Sequence, residues 1–188
     1  LLKPNQFQKG INIRFKLGGG FTSRPGFIER IFTNFTGIGT DKIQGMFATD
    51  DEVFVAANGK IFVILPDFSD AFEILGSLDT QAKVQWLAKD GDIYVMNQVN
   101  FPVRIAKSLS TTALVALAST GLDVITGQGW RYPTTTGSLQ VISALGTDAI
   151  AYTNKVNDTF TLTAATVGFS HPIGSYVFEV TSLTTAPK

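Results

Sequence analysis

The 188-residue sequence has no cysteine and a single histidine. The first absence excludes disulfides and thiolate metal sites and leaves the redox compartment unreadable. The second leaves little material for imidazole chemistry. Charge is scarce too: 16% of residues are charged, against about 25% in ordinary soluble domains. So low a share points to large surfaces covered by something other than water. Fifteen basic and fifteen acidic residues cancel, so no net field draws the chain toward nucleic acid or an anionic membrane. A neutral channel could still pass DNA, because transport asks for weak contacts. No apolar run approaches the roughly 20 residues of a membrane helix, so no membrane insertion is expected. No signal-peptide pattern appears. The opening Leu-Leu without a methionine reads as a trimmed, processed or partial piece of something longer.

What is present is strand material. Thr and Ser are abundant, Phe occurs 15 times and Gly 18 times. β-Branched and aromatic residues favour pleated strands, and no long segment carries a helical apolar stripe. The expected class is all-β. Ile11, Ile13 and Phe15 alternate with Asn12, Arg14 and Lys16, the period of a half-buried strand. The stretch LGGGFTSRPGFI (17–28) interrupts that pattern. No Lys-Ser or Lys-Thr follows the glycines, so it is not a phosphate loop.

Two similar stretches come next, IQGMFATDDEVFVAANGKIFVI (43–64) and VQWLAKDGDIYVMNQVNFPVRI (84–105). Each opens on an aliphatic residue and a glutamine, then runs strand, acidic turn, strand, second turn and closing strand. Asn58-Gly59 and Asp90-Gly91 are dipeptides that suit type I′ hairpins, whose two central residues take positive φ. A spacing near 40 residues with a few short strands per unit is that of propeller-like blades; a plain β-meander is the alternative. Closed propellers need about four blades or more. Two leave strand edges and apolar faces for other chains to cover.

The polar joint AKSLSTT (106–112) precedes a Thr-rich region of little charge. Two domains are therefore expected: 1–107, an N-terminal arm with two propeller-like units, and 108–188, a small β-sandwich or barrel-like domain with a C-terminal tail. Strands are expected at Leu114–Ala118, Leu122–Ile125, Leu139–Ile142, Ala149–Tyr152, Thr159–Thr163 and Tyr176–Val180.

Candidate chemistry is thin. His171, in SHPIG, would need a nucleophile and an orienting acid to act as a base; its neighbour Ser170 does not supply that geometry, and a structural turn is expected. Asp90 and Asp92 lead straight into a strand and lack the further oxygen ligands of a calcium loop. Asp50, Asp51 and Glu52 read as a solvated turn. Trp86 reads as core. Trp130 and Tyr132, in QGWRYP, are the candidates for an exposed aromatic contact. No catalytic residue, metal ligand or cofactor is assigned, and no enzyme activity is expected.

The segment NIRFKLGGGFTSRPGFIERI, with Arg24-Pro25-Gly26 ahead of an apolar strand, resembles the N-terminal region of tailed-bacteriophage tail nozzle proteins of the tail tubular protein B type. The likeness covers roughly residues 5–105. The second half is similar to a small β-module of phage virion proteins. Gly137, Leu139, Ile150, Tyr152, Thr153, Phe160, Thr161, His171, Gly174 and Val177 match its pattern; Leu162 stands where glycine is usual, and the usual cysteine is missing.

These resemblances imply a structural virion protein of the tail nozzle or neck–tail connection, assembled in the host cytoplasm. Its partners would be further copies in a ring and other tail or neck proteins. DNA would be met in transit, without sequence recognition. On this reading Gly18, Gly19 and Gly20 let the backbone bend, Arg24 offers donors to a neighbouring element, and Pro25 and Gly26 set a turn that routes the chain into the first blade. The alternative is a receptor- or carbohydrate-binding module anchored by Trp130 and Tyr132.

Overall fold

A computed structural model describes residues 13–15, 21–23, 43–65, 71–132 and 136–183. The chain divides into two compact units, Leu1–Ile31 and Phe32–Lys188. In the first, β1 (Ile13–Phe15) pairs antiparallel with β2 (Phe21–Ser23), with Arg14 opposite Thr22. Gly18, Gly19, Gly20, Arg24, Pro25 and Gly26 lie outside the described residues, and so does the chain-routing role expected of them.

The second unit is all-β, as its composition requires, and is built from two antiparallel sheets. The smaller is the meander β3 (Ile43–Ala48), β4 (Val53–Ala57), β5 (Lys60–Ile64) and β6 (Ala71–Leu75). The larger begins with β7 (Gln85–Lys89), β8 (Asp92–Met96) and β9 (Val103–Leu109). It is completed by β10 (Gly121–Asp123), β11 (Gly137–Ser143), β12 (Gly146–Val156), β13 (Thr159–Leu162) and β14 (Tyr176–Ser182). Its strand order is β10-β13-β12-β11-β14-β9-β8-β7. The two similar stretches are therefore two meanders. Their hairpins turn as the dipeptides demand: Asn58 and Gly59 have φ of 48° and 71°, Asp90 and Gly91 of 54° and 82°.

The boundary expected between residues 107 and 108 falls inside β9. That strand pairs with β14 from Tyr176↔Leu109 to Ser182↔Val103, so one sheet runs through the polar joint. The strand expected at Leu114–Ala118 is replaced by a single bridge, Leu114↔His171, followed by a turn with Leu117 at φ 57°.

Strand alternation sorts the side chains into layers. Ile105, Ile142 and Phe178 face the small sheet and join Phe54, Ile61, Val63 and Phe72 in the core between the sheets. The Phe54 and Phe178 rings meet edge to face, 6.2 Å between centroids. Their sequence neighbours Ala106, Val141 and Val177 face the other way. They form a second core with Leu122, Leu139, Ile150, Tyr152 and Phe160. Val55, Ala57, Phe62, Ile64 and Ala71 make a third cluster on the outward face of the small sheet. That double burial is why VFVAA and KIFVI are apolar nearly throughout instead of alternating.

Candidate functional site

Two kinds of site emerge among the described residues: a pair of terminal strands and two buried polar networks. β3 and β7 are terminal strands of their sheets and run close together, tied by the Val84 amide donating to the Gln44 carbonyl at 3.0 Å. Among the described residues neither has a second strand partner in its own sheet. Ile43 and Met46 stand on the outward face of the small sheet, and Leu87 on the outward face of the large one. Met46 is 58% exposed and Leu87 50%. Charged residues and bulges commonly protect such an edge. Here the protection is a bulge between Ile43 and Gly45 and the lysine that ends β7, Lys89.

The first buried network gathers around His171. Its ring lies between Asp148 of β12 and Ser143 at the end of β11. Nε2 is 3.0 Å from Asp148 Oδ2 and Nδ1 is 2.9 Å from Ser143 Oγ. An ionised Asp148 can only accept, so Nε2 carries the proton between them. Asp148 Oδ2 also accepts from the Phe169 amide at 2.7 Å, and Ser143 Oγ from the Leu145 amide at 3.2 Å. The nucleophile-type hydroxyl and the orienting acid absent from the sequence around His171 are thus both present in space. Ser143 lines a cleft of about 330 Å³ with Pro172, Gly174 and Tyr176. The imidazole itself has no exposed surface, and the backbone of His171 is bridged to Leu114 in both directions. The arrangement fastens the β11–β12 turn to the 169–175 segment.

The second network lies on the second-core face of the large sheet. Asp92 Oδ2 takes Arg104 at 2.6 Å, and Arg104 also donates to the Arg131 carbonyl at 2.5 Å. Burial raises the Asp92 pKa, against the lowering pull of Arg104 and Arg131. Lys155 donates to the carbonyls of Gly129 and Tyr132. Asp158 accepts from the Gly127 and Gly129 amides, which hold its pKa low. These bonds fold the Gly127–Tyr132 loop down onto the sheet.

That fold decides the fate of the two aromatic candidates. Trp130 is 63% exposed, with the Arg131 guanidinium 5.8 Å from its ring centre. Tyr132 is 2% exposed. Its hydroxyl donates to the Val177 carbonyl at 3.1 Å, its ring packs edge to face on Phe160, and burial pushes its phenol pKa up. Tyr132 is a core residue, so the exposed pair expected from QGWRYP reduces to Trp130.

The acidic turn is also reshaped. Asp50 and Asp51 are exposed, but Glu52 is buried, held by Lys107 of β9 at 2.6 and 2.9 Å and by the Thr49 hydroxyl at 2.7 Å. Trp86 packs against the first core, stacked on Phe47 with 6.0 Å between ring centroids.

Of the residues matched to the phage β-module, Thr153, Thr161 and Gly174 are exposed and others are packed. Leu139, Ile150, Tyr152, Phe160 and Val177 build the second core. A Cβ at Gly137 would lie 2.5 Å from Glu179 Oε1 and 2.6 Å from the Tyr152 hydroxyl, so a larger residue there would displace that pair. Among the described residues no group of three or more His, Asp or Glu is placed to hold a metal ion. No family model, no curated protein and no solved structure matches the chain.

Proposed function

We propose that this chain is a structural component of a tailed-phage virion, in the tail nozzle or the neck–tail connection. It works by assembling head to tail with further copies into a ring that lines the DNA exit path. The observation that carries this reading is that, among the described residues, β3 and β7 are terminal strands of their sheets with Ile43, Met46 and Leu87 exposed on them. Such an edge is a template for pairing with another chain. Repeated head-to-tail contacts close into a ring when the rotation permits. The resemblances around Arg24-Pro25-Gly26 and in the second half supply the virion context; the neutral charge balance suits DNA in transit. The Ser143–His171–Asp148 network is read as a staple, because its base is sealed from any substrate. The carbohydrate-binding alternative keeps one of its two rings.

Light scattering on the purified chain across a concentration series tests assembly. A discrete ring-sized oligomer is the expected result. A monomer at every concentration overturns self-assembly through this edge.

A further inference from the structure

Glu179 sits in the middle of β14, the strand that joins β9 to β11 in the large sheet. It is 4% exposed. Its Oε1 accepts from the Tyr152 hydroxyl at 3.0 Å, and its Oε2 has no hydrogen-bond partner. Groups face it from every side of the sheet. Tyr152 and Lys155 come from β12, Arg104 from β9, Tyr132 from the covering loop and the bare Gly137 from β11. Ala106 of β9 is opposite Glu179, and Asp92 of β8 is the residue before Ile93, which pairs with Ile105.

None of the cations is free to neutralise it. Arg104 is engaged by Asp92 and the Arg131 carbonyl, and Lys155 by the carbonyls of Gly129 and Tyr132. Among the described residues no ion pair reaches Glu179. An ionised carboxylate there is a buried charge without a contacting counter-ion among the described residues, and burial disfavours that charged form. The neutral acid carries no such penalty.

We propose that buried Glu179, without an ion-pair partner among the described residues, is held as the neutral acid in the folded protein at mildly acidic pH, so that the fold loses stability as the pH rises toward neutral. Burial is the main cause: it lifts the pKa from an ordinary 4.5 to about 7, with Tyr152, Arg104 and Lys155 pulling the other way. The sign follows from linkage. Between about pH 4.5 and 7 the unfolded chain has released this proton while the folded chain keeps it. The unfolded state then binds fewer protons, so stability falls as pH rises through that window.

The test is a pH titration of the full chain with ¹³C-labelled glutamate carboxyls, assigned by the resonance missing in Glu179→Gln. A Glu179 midpoint near 7 is expected; one near 4.5 overturns the proposal. Thermal unfolding of the wild type and of Glu179→Gln over pH 4–8 is the companion measurement. The wild type is expected to lose melting temperature between pH 4.5 and 7 relative to the glutamine variant, and parallel profiles overturn the proposal. Should Glu179→Gln fail to fold, Tyr152→Phe replaces it. Losing a hydroxyl that favours the carboxylate moves the glutamate midpoint, found as the highest in the spectrum, further up; an unmoved midpoint overturns the assignment.

Discussion

Gln44 and Gln85 open the two similar stretches at matching places, and their surroundings differ. Gln44 is buried. Its Nε2 donates to the carbonyls of Asp79 and Ala82 at 2.6 and 2.7 Å, and its Oε1 accepts from the Gly59 amide at 2.7 Å. It fastens the first meander to the chain that leads into the second. Gln85 is exposed on the terminal strand β7, and no described segment folds over it as over Gln44. The central strands differ in the same sense. β4 and β5 are buried on both faces, whereas β8 alternates and β7 is open. Similar local sequence builds the same hairpins; the cover laid over them decides which residues carry stability and which remain available to a partner.

The comparison is broken most severely in the first meander. Phe54→Ala removes a fully buried ring from the core between the sheets and is expected to cost about 3–5 kcal/mol. Phe62→Ala, on the opposite face, is expected to cost about as much, since Phe62 is buried to the same degree. Denaturant unfolding measures both. A Phe62→Ala loss below about 1 kcal/mol would show that the outward face is not a true core.

The glutamine pair sharpens the contrast. Gln44→Ala leaves the Gly59 amide without its side-chain acceptor and strips two carbonyls of their donor, an expected loss of about 1–3 kcal/mol. Gln85→Ala is expected to stay within about 0.5 kcal/mol. Equal losses would make the two stretches equivalent in the fold. The smallest stability effect belongs to Leu87→Lys, again within about 0.5 kcal/mol because the side chain is half exposed. Its signature is expected elsewhere: a fall in the mass seen by light scattering, from oligomer to monomer, with the melting temperature unchanged. An oligomer that survives the lysine would move the contact away from this edge.

Much of the fold can be read from local pattern. Strand class follows from β-branched and aromatic content, and the hairpin turns from Asn58-Gly59 and Asp90-Gly91, since short-range φ preferences act before any tertiary contact forms. The strand patterns at 139–142, 149–152 and 159–163 fall on β11, β12 and β13, with ends that differ by up to four residues. The Leu114–Ala118 stretch has the apolar content of a strand, but it bridges only at Leu114, where His171 comes alongside. The site was less legible. Ser143 and Asp148 stand 28 and 23 residues from His171, and no spacing rule links them. Tyr132 sits among loop-forming residues, and its burial depends on Lys155 and Asp158 drawing that loop down.

By itself, then, the sequence determined the all-β class, the two meanders and their tight turns, because alternation and backbone preference are properties of neighbouring residues. The tertiary structure alone decided that β14 returns to pair with β9 and carries the sheet through the polar joint. It also decided that Glu179 is sealed beside Tyr152 and that, among the described residues, it has no ion pair and β3 and β7 are terminal strands. Those outcomes depend on which distant strands meet, and local chain chemistry does not encode that choice residue by residue.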